Sequence, residues 1–279
     1  MKNKIIFIVG TTSSGKTDLA VSMCRKFNGE IISADSRQVY RGMDIGTGKE
    51  GACRNDKCLM SNVKLRKEFI KCRARYIDNI PQYLIDIVGP GGKMYNLKNF
   101  LDDANLITAD IWSRGKLPVV TGGTGLYVSA LTEGYRLSPT KLGRGKWTVK
   151  ETPNFDKLII GIKLPRQEIY RRIDERLTRR LKQGLIEEVS TLISGGVSTD
   201  WLQKIGLEYR FVTRRLYGTI KTDRELYDQL RFAIHGYARR QLTWLRHKIS
   251  RVEWVTGSKE TVIKIRNFLS AGDSPKGDS

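Results

Sequence analysis

Short apolar runs alternate with longer amphipathic segments along the first 163 residues. The runs Lys4–Val9, Glu30–Ala34, Tyr83–Val88, Leu117–Thr121 and Leu158–Ile162 are rich in Ile and Val and nearly continuous. Strands of that kind are buried on both faces, as in a parallel sheet covered by helices. The alternation therefore predicts an α/β fold, a parallel sheet flanked by helices. After residue 163 the period changes. Pro165 suits the first turn of a helix, and Ile169, Ile173 and Leu177 then recur every four residues as one buried stripe. Another helix starts at Thr222, where Thr222 and Glu225 have the spacing of a capping box. Leu226, Leu230, Ile234 and Tyr237 follow on one face, and Val252–Val255 is a candidate edge strand.

This pattern divides the chain into an α/β core over residues 1–163, a helical part over 164–269 packed on that core, and a tail over 270–279 expected to be disordered. Two stretches of the core break the alternation. Residues 51–80 hold eight Lys and Arg against three Asp and Glu and read as a basic insertion; residues 134–156, rich in Gly, Lys and Thr, read as a loop. The cysteines at 53, 58 and 72 are spaced too widely for an ordinary zinc site and have no histidine near them, so they and Cys24 are expected to be free thiols. Fifty Lys and Arg against twenty-nine Asp and Glu give a net charge of +21, which favours a polyanionic partner, nucleic acid first. No apolar run approaches the roughly 20 residues of a membrane span, and the opening residues do not form a signal peptide. A cytoplasmic protein with no membrane contact is expected, acting as a monomer.

The chemistry starts at Gly10-Thr11-Thr12-Ser13-Ser14-Gly15-Lys16-Thr17, which fits G-x-x-x-x-G-K-[ST] between a strand and a helix. In such a P-loop the backbone N–H groups point inward at phosphate oxygens, Lys16 adds a point charge and the Thr17 hydroxyl can ligate Mg²⁺. The helix that follows adds its positive end. The motif predicts a P-loop NTPase-like core; alone it suggests ATP or GTP. Strand two runs into Asp35-Ser36-Arg37-Gln38, and the run ending at Thr121 continues into Gly122-Gly123-Thr124-Gly125. Both follow the carboxyl ends of strands, where ligands of open α/β sheets bind, so three loops should converge on one crevice. Asp35 is there a candidate base or metal ligand, with a turn or cap as the alternative.

In this order, G-x-x-x-x-G-K-T, D-S-x-Q-x-Y with D-I-G-T-x-K (Asp44–Lys49), L-I-D-I (Leu84–Ile87) and G-G-T-G-L-Y (Gly122–Tyr127) resemble the tRNA dimethylallyltransferase family. Arg239-Arg240-Gln241-Leu242-Thr243-Trp244-Leu245-Arg246 extends the resemblance to the family's basic R-Q-x-T-W-x-R helix. The resemblance implies transfer of a dimethylallyl group from dimethylallyl diphosphate to N6 of the adenosine immediately 3′ of the anticodon in tRNA, with Mg²⁺. It implies Asp35 as general base and Thr124 near the reacting amine. Lys16, Thr17 and Mg²⁺ would stabilise the leaving diphosphate, held by Gly10–Thr17 with Arg172 and Arg176. Ser36 and Gln38 would contact the adenine or its neighbours, beside Asp35 and Arg37. Gly206, in a variant of the family's I-G-Y segment, and Arg239, Arg240, Gln241, Thr243, Trp244 and Arg246 would face the tRNA, with Trp244 as either core or stacking platform. The alternatives are an adenylate isopentenyltransferase acting on a free nucleotide and an ATP-dependent small-molecule kinase.

The sequence departs from the family in several places, and residues 51–80 are longer and more basic than is typical of it. Only residues 134–156 stand where typical bacterial members carry an insertion with Q-R-x-x-R that grips the anticodon stem, so a short form is expected. Gln82 and Tyr83 replace the usual His before L-I-D-I. The basic segment is then expected to bind RNA in place of that insertion. Deleting residues 53–76 should weaken tRNA binding and flatten its dependence on salt in filter-binding titrations; unchanged affinity and slope would contradict that role.

Overall fold

A computed structural model describes residues 3–54, 74–138, 146–149 and 153–271. The first half runs β1 (Lys4–Val9), α1 (Lys16–Phe27), β2 (Gly29–Ser33), β3 (Ala52–Cys53), β4 (Arg75–Ile77), β5 (Ile80–Tyr83), α2 (Leu97–Ser113), β6 (Leu117–Gly122) and α3 (Gly125–Glu133). It continues through β7 (Tyr135–Ser138), β8 (Lys146–Val149) and β9 (Asp156–Ile162). Then come α4 (Arg166–Lys182), α5 (Leu185–Ser194), α6 (Thr199–Ile205), α7 (Leu207–Leu216), α8 (Asp223–His247), β10 (Val252–Val255) and α9 (Ser258–Ser270).

Among the described residues one sheet has the order β10-β9-β1-β6-β2-β5-β4-β3. It is parallel from β10 to β5, while β4 and β3 extend it antiparallel. Side chains of β1 alternate between two cores, as the period of a strand requires. Ile5, Phe7 and Val9 face the larger core under α2, α3, α4 and α8, and Ile6 and Ile8 face a smaller core under α1 and α9. All five are fully buried, which is why β1 reads as an unbroken apolar run. The register pairs Val9 with Gly122 and Ser33 with Thr121, so β1, β2 and β6 end level with one another. The loops after them therefore share one edge of the sheet.

Four expectations change. The run Tyr83–Val88 is not a strand: β5 ends at Tyr83, and Leu84 and Asp86 have φ of 62° and 60°. Leu84, Ile85 and Ile87 are buried, so the run reports burial without extension, an ambiguity that periodicity cannot resolve. The flanks of the basic segment are ordered as β3 and β4, while 55–73, with Cys58 and Cys72, lie outside the described residues. The loop at 134–156 contains a hairpin, β7 paired antiparallel with β8. Finally, β10 and α9 return to the α1 side of the sheet and belong to the core, so the helical part ends with α8. Residues 272–279 of the tail lie outside the described residues. Thr222 caps α8 through the Glu225 amide (3.1 Å), but the Glu225 carboxylate accepts from Lys221 N (2.8 Å), one residue off the reciprocal bond of a capping box.

Asp86 explains why Leu84–Ile87 turns. Its carboxylate accepts from Lys49 and pairs with Arg75 Nε at 2.9 Å. The Lys49 side chain, with no solvent exposure, also donates to Tyr40 O (2.6 Å) and Asp44 (2.8 Å). The D-I-G-T-G-K loop is thus tied to the end of β5 by a buried ion cluster. Deleting residues 53–76 also removes Arg75 from this cluster, so a second deletion that spares Arg75 separates loss of RNA contacts from damage to the fold. Asp86→Asn leaves Asp44, about half exposed, as the one carboxylate bonded to Lys49, and should cost about 3 kcal/mol in urea denaturation, the low end for a broken buried pair. A change within error would show that Asp44 suffices.

Candidate active site

β1 delivers the P-loop. After Val9 the chain turns through Ser13 (φ 60°) and Gly15 (φ 81°) into α1, whose first turn has no side-chain cap. The hydroxyls of Thr11, Ser13 and Ser14 are buried without partners. Free helix N–H groups and unpaired hydroxyls together make a cradle for an anion. Lys16 Nζ reaches back to Thr11 O at 3.1 Å.

The cradle opens into a cavity of about 280 Å³, also lined by Asp35, Arg37, Gln38, Gly122, Gly123, Arg172, Arg176, Arg180 and Glu208. Arg176, from α4, donates to Thr12 Oγ1 (3.3 Å) and Gly48 O (3.5 Å). At Gly48, φ is 62°, a conformation that favours glycine, and a methyl group there would displace the guanidinium tips of Arg176 and Arg180. Burial and the neighbouring Arg176 push the Lys16 ammonium down to about 8; burial and Arg180 push Arg176 down to about 10. Mutually repelling cations held beside an anion cradle are arranged for a polyphosphate.

The other two loops are stitched to each other. Ala34 N donates to Thr121 O (2.8 Å) and Thr124 N to Ala34 O (3.2 Å). A Cβ on Gly122 would strike the Ala34 carbonyl, which explains the glycine. Thr124 Oγ1 accepts from Ser36 N at 3.1 Å, placing Thr124 directly beside the Asp35 loop. Asp35 Oδ1 accepts from Arg37 N at 2.9 Å and its carboxylate remains partly exposed to the cavity. Gln38 accepts from Ser33 Oγ at 3.0 Å, and nearby Gln82 also lines the cavity with a buried Nε2 that has no partner.

The family model described as IPP transferase matches residues 70–148 and 140–248, and that described as isopentenyl transferase matches residues 3–60. The tRNA dimethylallyltransferase 2 of Shewanella sediminis is 35% identical over 92% of this chain and 95% of its own. The tRNA dimethylallyltransferase 1 of Porphyromonas gingivalis is 37% identical over 87% of this chain and 89% of its own. The crystal structure of the full-length tRNA isopentenylpyrophosphate transferase of Bacillus halodurans superposes with a TM-score of 0.75 at 27% identity, covering 97% of this chain and 96% of that one. The chain belongs to the tRNA dimethylallyltransferase family. The superposition also bears out the expected α/β class, a mostly parallel sheet with a helical C-terminal part.

Among the family residues expected from the sequence, Thr12–Thr17, Asp35, Gln38, Arg172 and Arg176 line one cavity, while Gly10 and Thr11 lie just before its wall and Ser36 and Thr124 are bonded to each other beside Asp35. The structure turns two others inward. Gln241 is buried on α8, where its Oε1 accepts from Thr12 N and its Nε2 donates to Gly123 O, both at 2.8 Å. It clasps the P-loop to the G-G-T-G loop and lines the cavity between them. Arg37 is held by Glu208 (3.3 Å) and the Tyr237 ring (5.2 Å), with Gly206 packed against its stem. Trp244 packs partly against the core, its indole donating to Ser129 Oγ (2.9 Å) and its ring covering Gly125, and it also lines an open groove with Arg239, Arg240 and Thr243. Arg239, Arg240, Thr243 and Arg246 are exposed on the outer face of α8.

Two carboxylates went unnoticed in the sequence. Glu188 of α5 accepts from the amides of Asp44, Ile45 and Gly46 (2.7, 2.7 and 2.9 Å) and from Tyr209 Oη (2.8 Å), fixing the loop that carries Gly48. Glu208 accepts from Arg37 and, at 3.0 Å, from Arg180. No local pattern announces either. Gln241 did leave a signal: it falls in the apolar stripe Leu230, Ile234, Ala238, Leu245 of α8, where a buried amide must find partners.

The lowered Lys16 pKa has a measurable consequence. Diphosphate favours the ammonium form, which the free protein holds below about pH 8 and loses above it. Affinity for dimethylallyl diphosphate should be flat below pH 8 and weaken above it, approaching about tenfold per pH unit. Calorimetry in buffers of different ionisation heat should show proton uptake on binding above pH 8. A flat profile through pH 9 would contradict this.

Proposed function

We propose that this cavity performs the family's prenyl transfer on tRNA, giving N6-isopentenyladenosine, with Asp35 as the general base. The observation that carries the reading is that Asp35, whose loop is bonded to Thr124 through Ser36 N, lines one cavity with the P-loop cations. The amine lone pair of adenosine N6 attacks C1 of the dimethylallyl group. The C1–O bond breaks, its electron pair leaves with the diphosphate, and the N6 proton passes to the Asp35 carboxylate. Lys16, Arg172 and Arg176, with the free amides of the P-loop, stabilise charge developing on the diphosphate oxygens. Ser36, bonded to Thr124, and Gln38 would orient the purine.

Magnesium fits the site as a partly ligand-held ion. Thr17 lines the cavity together with Asp18 and Glu50, all hard oxygen donors. Among the described residues no cluster of three metal-ligating side chains exists. Such a donor set suits Mg²⁺, which is commonly bound by one or two protein oxygens plus substrate phosphates. When bound, the ion neutralises diphosphate charge; Thr17 is its proposed protein ligand.

Exposed Arg239, Arg240 and Arg246 on α8 support an RNA substrate over a free nucleotide, since contacts outside the cavity serve only a large polyanion. A short form is supported by the narrow span between Glu133, where α3 ends, and Asp156, where β9 begins, in which the β7–β8 hairpin is the only element among the described residues. Among the described residues no helix is long and apolar enough to cross a membrane.

Asp35→Asn should lower turnover by about 10²–10⁴ while leaving dimethylallyl diphosphate binding intact. Nucleoside mass analysis of tRNA incubated with dimethylallyl diphosphate and Mg²⁺ measures it. Full activity in the variant would remove Asp35 from the role of base.

A further inference from the structure

Arg37 stands two residues from Asp35 and threatens it. Its Nε is 4.0 Å from Asp35 Oδ1, the backbone amide of Arg37 already binds that same oxygen, and the side chain is mostly buried. A buried guanidinium must find an anion, and a direct Arg–carboxylate pair would tie up the lone pair that takes the N6 proton. Instead the guanidinium is turned away: Nη1 donates to Glu208 Oε2 at 3.3 Å and the group lies over the Tyr237 ring. Glu208 is buried in the first turn of α7, and its other oxygen holds Arg180.

We propose that Glu208 is a positioning residue for catalysis, holding Arg37 off Asp35 so that the Asp35 carboxylate stays free to accept the substrate proton. The inference rests on Asp35 being the base. The groups facing Asp35 are Lys16 of α1, Tyr127 of α3, Arg176 of α4, Tyr237 of α8 and Arg37 on its own loop. Of the three cations only Arg37 has a carboxylate hydrogen-bonded to it: Lys16 binds Thr11 O, and Arg176 binds Thr12 Oγ1 and Gly48 O. Neutralising Glu208 therefore changes the cation nearest the base first. The rigid placement follows from Gly206, the residue before α7, against which the Arg37 stem packs; a larger residue there would displace the side chain that Glu208 must meet.

The test is Glu208→Gln, which keeps the shape, removes the charge and leaves one carbonyl acceptor in place of two carboxylate oxygens. Single-turnover rates on tRNA should fall about tenfold, and the acidic limb of the rate profile should move down by about one pH unit, as Arg37 swings to Asp35. KM for dimethylallyl diphosphate should stay within about twofold, because Glu208 is hydrogen-bonded to Arg37 and Arg180 and to none of Lys16, Arg172 and Arg176. Adding Arg37→Met to E208Q should recover most of the rate and return the limb toward the parent. Arg37→Met alone reads the same point from the other side, without disturbing Glu208: its limb should sit at or above the parent value. An unchanged limb in E208Q, a double variant no faster than E208Q, or a downward shift in R37M would each overturn the proposal. Asp35→Asn run in parallel separates the two readings. Normal turnover in D35N removes the base itself, whereas an inactive D35N with no rescue in the double variant removes only the role of Glu208.

Discussion

Lys16 and Arg176 face the P-loop with only neutral oxygens bonded to them, those of Thr11, Thr12 and Gly48. Burial lowers the proton affinity of both, and a neighbouring guanidinium adds to it: Arg176 beside Lys16, and Arg180 beside Arg176. Folding has to hold these like charges together before any substrate arrives, and the unpaired hydroxyls of Thr11, Ser13 and Ser14 add to the cost. That cost is the source of function. Donors already aimed at the place where negative charge develops need not reorganise during the reaction, which is how electrostatic catalysis works.

Much of the surrounding structure serves to hold that arrangement. The sheet supplies position, since β1, β2 and β6 end level. The helical part supplies restraint through single polar side chains. Gln241 joins the P-loop to the Gly123 carbonyl, Glu188 gathers three amides of the loop bearing Gly48, and Glu208 separates Arg37 from Arg180. Each restraint reaches from a helix after residue 163 to a loop before residue 50. The two halves of the chain are thus interdependent at the site, and the helical part is as much a scaffold for the diphosphate cavity as an RNA-binding surface.

The strands β1, β2, β6 and β9 were legible because burial on both faces imposes an apolar run, and the P-loop because close backbone approach to phosphate fixes Gly, Lys and Thr at set spacing. Asp35 and Thr124 were legible only through their place at strand ends and their order in the chain. What escaped were contacts between residues far apart in sequence. Leu84–Ile87 looks like a strand because burial alone was visible, whereas the ion cluster that turns it joins Asp86 to Lys49 and Arg75. Glu208 and Glu188 looked like ordinary helix carboxylates, since nothing local tells a solvated Glu from one that anchors a distant loop.

Helix α8 shows why a motif read as one block divides on folding. Successive residues point about 100° apart on a helix, so Arg240 and Gln241, adjacent in sequence, face solvent and the P-loop respectively. An R-Q-x-T-W-x-R pattern read as a tRNA-facing unit therefore contains three physical roles. The arginines carry charge outward, Gln241 closes the cradle, and Trp244 fixes the helix to α3 through Ser129. Loss of an outward arginine weakens the grip on phosphates and leaves the cradle whole. Loss of Gln241 strands the Thr12 amide and the Gly123 carbonyl at the reacting centre, and so acts on catalysis from within a segment whose charge advertises RNA binding.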